Sequence, residues 1–320
     1  MKRLSFFVLK LTVSIALVAW AFSGEHFRPD RLALHFREAD LGLLAVAVAL
    51  FALSNLLGAA QWNLLLRVQE IALPWRQVVS FYFVGVFFNH FLVGNLGGDA
   101  FRVYDVRRLT RDGSRAFAAT FLDRFLGLFT LTAFSLMAYL FAPAFSGGKS
   151  VLALILCVTG VLTLTMAAAF NRRLGAAGER ALLRLAPGRI GDRITKIRQG
   201  LLRCRTNLRV LALATFFSAG VQLMRVGVHY VVGRALGVEV PFGYFLIFIP
   251  LIAIVASLPV SFGGIGVREN FGVFLFALRG VEGTLAFSME FAAYLVGLAA
   301  SLVGGVVFVL RRQGRAGRER

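Results

Sequence analysis

Gly97-Gly98-Asp99-Ala100-Phe101-Arg102, and later Gly263-Gly264-Ile265-Gly266-Val267-Arg268: the pattern Gly-Gly-x-x-x-Arg occurs twice in the 320-residue chain, once in each half. Each copy follows an apolar, Phe-rich run (78–93 and 244–258) that is short of the ~20 residues needed to cross the hydrocarbon core of a bilayer. Two such copies, each placed after an undersized apolar run, point to a duplicated element. The rest of the chain reads as the frame around it.

That frame is a membrane protein. Hydrophobic residues make up 58% of the sequence and charged residues only 16%, too little polar surface for a soluble domain. The net charge of +19 is almost all arginine. Because these arginines lie between apolar spans, they indicate cytoplasmic loops and anionic head groups rather than nucleic acid. Long apolar runs occur at 1–22, 41–66, 117–141, 151–170, 208–232 and 285–310, with shorter ones at 78–93, 244–258 and 271–278. Lys2, Arg3 and Lys10 precede the first run, which reads as a retained signal anchor. The small-x-small triplet Ala19-Trp20-Ala21 keeps a cleavable leader open. Cys157 and Cys204 suggest neither a disulfide nor a zinc site.

Loop charge decides how the runs thread. The segment 171–209 carries eleven Lys/Arg against two acids, 101–115 carries five Arg against two acids, and the tail after Leu310 carries five Arg against one. All three belong on the cytoplasmic side. If 78–93 crossed fully, the five arginines of 101–115 would lie outside and the eleven-charge segment would follow them. If the piece enters the membrane and returns, every basic loop falls inside. The same parity holds for 244–278. The expected architecture is therefore an all-α polytopic membrane protein with about six full transmembrane helices and two re-entrant helical hairpins. The single domain 1–320 contains inverted repeats at about 41–141 and 208–310, joined by a basic cytoplasmic linker at 171–207. Both termini are expected in the cytoplasm. Within the linker, Ile190, Ile194, Ile197 and Leu201 recur at helical spacing among basic residues, as in a helix lying on an anionic leaflet.

Non-helical backbone at membrane depth survives only inside protein or beside a water-filled cavity, and broken helices in inverted repeats are a transporter architecture. Gly-Gly permits a tight reversal and bares backbone amides. A half-helix starting there offers free N–H groups and a positive dipole end. Arg102 and Arg268 fall in the first turn of such a half-helix, and a guanidinium fork beside bare amides suits a phosphate. The candidate head-group site therefore comprises Gly97, Gly98, Asp99 and Arg102 from the first motif, and Gly263, Gly264, Gly266, Arg268 and Glu269 from the second. Asp123 and Arg124, Arg225, and Glu290 are further charged residues inside apolar spans, where each is costly and informative. Gln222, Arg225 and His229 share one helix face, Glu290 and Tyr294 are an i, i+4 pair, and an Arg225–Glu290 pairing would neutralise both. His90 and His229 offer titration near neutral pH.

The stretch Leu258-Pro259-Val260-Ser261-Phe262-Gly263-Gly264-Ile265-Gly266-Val267-Arg268-Glu269 resembles the Pro-x-x-x-Gly-Gly-x-Gly-x-Arg-Glu signature of the lysylphosphatidylglycerol synthase transmembrane-region family, which is also called flippase-like. Gly97-Gly98-Asp99-Ala100-Phe101-Arg102 is similar to the family's earlier Gly-Gly-[Asp/Glu]-x-x-Arg element, and Asp123-Arg124 to the acidic-Arg pair that follows it. The resemblance covers essentially the whole chain. It departs at the first turn, where Val93-Gly94-Asn95 stands in place of the usual Pro. The resemblance implies a lipid-handling protein of the bacterial inner membrane. It also implies moving a lipid rather than aminoacylating it, since ten residues past the last span leave no room for an aminoacyl-transfer domain.

The leading expectation is a flippase or lipid transporter for an anionic phospholipid or a polyprenyl-phosphate-linked glycolipid. A non-catalytic partner of envelope-biosynthesis enzymes is the alternative. An intramembrane transferase is disfavoured, because the chain has four histidines, no Asp-x-x-Asp cluster and no nucleotide loop. No cofactor and no metal are expected.

Overall fold

The computed structural model describes residues 28–91, 97–141, 148–171, 195, 198–203, 207–257 and 266–316. Among these the chain is helical, with no strand. The helices are α1 (Pro29–Arg37), α2 (Leu41–Val68), α3 (Trp75–Phe91), α4 (Gly97–Thr110), α5 (Gly113–Leu140), α6 (Gly148–Phe170), α7 (Leu208–Ala235), α8 (Phe242–Ser257), α9 (Val267–Ala277) and α10 (Gly283–Ala316). Five of them are long and apolar enough to cross a membrane, at Leu41–Val68, Gly113–Leu140, Lys149–Ala167, Leu208–Ala235 and Gly283–Arg311. The chain is thus an all-α polytopic membrane protein. The first expected span, 1–22, lies outside the described residues, as does most of the amphipathic segment 189–203.

Short polar residues punctuate the long helices. Asp40 caps α2 by accepting from the amides of Gly42 and Leu43 at 2.8 and 3.1 Å. Asp112 caps α5 through the amides of Ser114 and Arg115, both at 3.1 Å. Asn207 caps α7 through the Val210 amide at 3.3 Å. Each carboxylate or amide oxygen satisfies donors that the helix cannot pair internally.

Four of the five short helices form two hairpins. α3 has 17 residues and α4 has 14; α8 has 16 and α9 has 11. At 1.5 Å per residue, none spans ~30 Å of hydrocarbon. α4 runs back along α3: Gly98 faces Gly85 and Asn89, while Gly85 also faces Arg102. The backbones touch there, because a Cβ on Gly98 would overlap the Gly85 carbonyl. α9 likewise returns along α8, with Phe276 against Phe245 and Phe248. Pro250 interrupts the α8 ladder, and Ser135 Oγ of α5 donates to the Ile247 carbonyl beside it at 3.0 Å.

Where sequence reading placed a loop at 101–115, the structure has helix as far as Thr110. The turn comes at Arg111, whose φ is +60°, and Asp112 starts the next helix. Arg102, Arg107 and Arg108 therefore ride on the second arm of the hairpin, and Arg115 on α5. Charge density had marked them as loop, but helical propensity and packing against α3 and α5 decide their conformation.

Helix packing follows one pattern twice. α2 packs on α3 and α5, as α7 packs on α8 and α10. α4 packs on α5, as α9 packs on α10. α3 lies against α10, as α8 lies against α5, and α2 meets α10 as α7 meets α5. The two halves meet most extensively between α2 and α7. These run antiparallel, with Leu57 beside Gly220 and Leu50 beside Gly227. Two apolar cores result. One is built around Phe245, Phe248 and Phe276, the other around Trp62, Leu65 and Leu122.

Candidate functional site

The first Gly-Gly-x-x-x-Arg motif builds a closed ionic cluster. Arg102, 4% exposed, donates through Nη2 to Asp123 Oδ2 at 2.8 Å and through Nη1 to Asp99 Oδ1 at 3.3 Å. The Nε–H of Arg124 donates to the other Asp99 oxygen. Two arginines and two aspartates thus cancel in charge, as burial in low dielectric requires. The Arg102 guanidinium is also sandwiched between the Trp62 and Tyr82 rings, 4.3 and 4.5 Å from their centroids, a cation–π arrangement in a desolvated site. Trp62 in turn donates its indole N–H to Thr120 Oγ1 at 3.1 Å. Asn89 Oδ1 accepts from the Gly98 amide at 2.9 Å, satisfying one of the bare amides at the α4 start. The cluster clasps the α3–α4 hairpin to α2 and α5.

The second motif is arranged differently. Gly263 and Gly264 lie outside the described residues. Gly266 holds φ +82° at the start of α9, a conformation that costs a side-chain-bearing residue. Its amide donates to Glu269 Oε2 at 2.6 Å, and its carbonyl accepts from Asn270 Nδ2 at 2.6 Å. One oxygen of the Glu269 carboxylate, next in sequence to Arg268, is therefore engaged at the helix start. Arg268 makes no ion pair with any described carboxylate. Its guanidinium lies over the Tyr294 ring, 5.6 Å from the centroid.

Tyr294 is where the two hairpins meet. Its hydroxyl lies 3.4 Å from the His90 carbonyl near the end of α3, in position to donate to it. Its ring stands 5.6 Å from the His90 imidazole. One side chain of α10 thus touches the ends of both hairpins nearest their turns. His90 in turn faces Phe51 of α2 at 6.5 Å. Arg225 of α7 also approaches Phe51, 5.9 Å from the ring centroid. Arg225 pairs with no described carboxylate, and its Nε is buried without a hydrogen-bond partner among the described residues. The result is a file of side chains, Arg268–Tyr294–His90–Phe51–Arg225, with a guanidinium at each end that makes no ion pair with a described carboxylate.

The expected Arg225–Glu290 pairing does not form. Glu290, with no exposed surface, instead takes His229 of α7, whose Nδ1 lies 3.2 Å from Oε1. Arg225 is one turn earlier on α7, where it turns to the aromatic file. Of the candidate residues, the structure therefore gathers Asp99, Arg102, Asp123 and Arg124 into one neutral cluster. It leaves Arg225 and Arg268 as cations and pairs Glu290 with histidine. The aromatic members of both sites, Trp62, Tyr82 and Phe51, carried no sequence signal that set them apart among 32 Phe, 6 Tyr and 3 Trp.

The family model described as the lysylphosphatidylglycerol synthase TM region matches residues 7–305. The chain belongs to this family. It is 24% identical over 340 aligned residues to a UPF0104 membrane protein of Pyrococcus horikoshii, covering 98% of both chains. It is 26% identical over 295 residues to a UPF0104 membrane protein of Methanothermobacter thermautotrophicus, covering 82% of this chain and 83% of the relative. The first of these relatives extends the likeness along essentially the full length.

Proposed function

We propose that this protein binds the anionic head group of a lipid at Arg268 and Arg225 and carries it across the bilayer without changing it chemically. The observation that carries the reading is the pair of intramembrane guanidiniums without a described carboxylate partner, at the two ends of the aromatic file through Tyr294. A cation at membrane depth is expensive unless an anion meets it, and a phosphodiester or diphosphate provides the oxygens that an Arg fork fits. The α9 N-terminus beside Arg268 adds positive dipole. The family membership supports lipid handling. The twice-used packing pattern, with α2 antiparallel to α7, supports an inverted repeat in which the two short-helix hairpins enter the membrane from opposite faces. The positive charge of 171–209 supports a cytoplasmic linker and cytoplasmic termini in a bacterial inner membrane.

The test is reconstitution of the full chain into vesicles with fluorescently labelled phosphatidylglycerol, following loss of signal to an impermeant quencher. Protein-dependent exposure of inner-leaflet lipid is expected, and it should be lost in the Arg225→Gln, Arg268→Gln double variant. Folded protein that leaves the flip rate at the vesicle baseline, across anionic phospholipids and polyprenyl phosphates, sinks the reading.

A further inference from the structure

Next to the arginine file lies a cluster of acids that the head-group reading leaves unused. Glu290 of α10 and Glu269 of α9 are 0% and 1% exposed. Each has one carboxylate oxygen engaged, Glu290 Oε1 by His229 and Glu269 Oε2 by the Gly266 amide. Each has its second oxygen buried with no hydrogen-bond partner among the described residues, Oε2 of Glu290 and Oε1 of Glu269. The two side chains belong to one antiparallel contact. Glu290 packs on Gly272, which follows Glu269 by three residues on the same face of α9, and the two charges lie within electrostatic reach of each other.

We infer that Glu290, with His229 and Glu269, forms a proton-binding site inside the bundle, and that its occupancy responds to the anion held at Arg268. The open oxygens call for a ligand with positive charge that needs few donors. A metal ion needs more: among the described residues no three His, Cys, Asp or Glu side chains are grouped to hold one. A proton needs only one carboxylate oxygen, supplied from water and returned to it, with no bond made except O–H. His229 is the less buried partner, its side chain 18% exposed while that of Glu290 is 0%. Of the charged and titratable groups on the helices packed against Glu290, His229 of α7 meets it directly and Glu269 of α9 lies within electrostatic reach, while Arg268 of α9 and Arg225 of α7 stand over the Tyr294 and Phe51 rings. α3 contributes His90, by way of Tyr294. From α1, His35 reaches Ser288 of the same helix at 3.1 Å. Near this site α2 presents Phe51, and among the residues of α8 only Tyr244 is titratable. An anion arriving beside Arg268 offsets the positive charge that otherwise favours ionised glutamates, so head-group binding and proton uptake reinforce each other by linkage.

The proposal rests on the head-group reading only for what the proton is coupled to, and the experiment separates the two. Infrared difference spectra of the full-length protein between alkaline and acid pH should show a carbonyl band from a buried protonated carboxyl. The band should be lost in Glu290→Gln, displaced in its titration midpoint by His229→Asn, and unchanged in Glu38→Gln. Short-chain phosphatidylglycerol added to weakly buffered protein should draw protons from solution in the wild type and none in Glu290→Gln. If folded Glu290→Gln and Glu269→Gln both retain the wild-type band and midpoint, the proton site is refuted. If the band disappears in Glu290→Gln but phosphatidylglycerol binds without drawing protons, the coupling of the site to the anion is refuted; the head-group reading fails only if phosphatidylglycerol does not bind.

Discussion

Replacing Arg102 with Ala should damage stability more than replacing Arg268, although both arginines sit in the same motif. Arg102 is 4% exposed, binds Asp123 and Asp99, and lies between two aromatic rings. Its removal leaves Asp123 buried without its partner and Asp99 with only Arg124. Breaking a buried pair from one side costs about 3–5 kcal/mol, because the remaining charge is left desolvated. The two lost ring contacts add about 0.5–2 kcal/mol each. Thermal midpoints move by roughly 2 °C per kcal/mol at the upper end of domain sizes, so a combined loss of about 4–9 kcal/mol should lower the midpoint by about 8–18 °C. Arg268 makes one ring contact and no described ion pair, so Arg268→Ala should move the midpoint by no more than about 4 °C on the same scale. The assay is thermal unfolding of the detergent-purified full chain, read by the fraction that stays monodisperse on size exclusion. If the two variants melt together, or Arg268→Ala melts lower, the division into one structural and one ligand-facing arginine is wrong.

Three other perturbations follow from the geometry. Gly98→Ala places a methyl group into the Gly85 carbonyl, so the α3–α4 hairpin must open; the yield of folded protein should fall steeply, while Gly160→Ala, in open space, should change nothing measurable. Gly266→Ala forces a side chain into φ +82°, at a cost of about 1–2 kcal/mol, seen as a drop of a few degrees in the melting midpoint. Asp40→Ala removes the α2 cap and should cost about 1 kcal/mol, with no effect on lipid binding because the cap lies away from the aromatic file.

Much of the architecture was legible because membrane solvent imposes strict rules. The spans starting near 41, 117, 151, 208 and 285 are apolar runs of the length the bilayer demands, and helices occupy all five. The two undersized runs became hairpin arms, since 17 and 16 residues are too few to cross. What sequence could not show was the assignment of partners. Arg102 and Arg268 occupy the same motif position, yet one is neutralised and the other is not. Asp99 and Asp123 are within reach of Arg102, whereas Glu269 turns back to the Gly266 amide and Glu290 is taken by histidine. Periodicity places a residue on a helix face but does not say which of several carboxylates on neighbouring helices it meets. That depends on crossing geometry set by close approaches such as Gly304 against the Phe83 carbonyl, which composition does not announce.

The central claim is that Arg225 and Arg268 receive an anionic head group, and direct binding tests it best. Calorimetric titration of the full chain with short-chain phosphatidylglycerol, against phosphatidylcholine as the zwitterionic comparison, should show preference for the anionic lipid. Charge-assisted hydrogen bonds contribute about 1.5–3 kcal/mol each, so Arg268→Gln should weaken phosphatidylglycerol binding by roughly 10- to 100-fold with the fold intact. Equal affinity for the two lipids, or unchanged affinity in the Arg225→Gln, Arg268→Gln protein, would contradict the account.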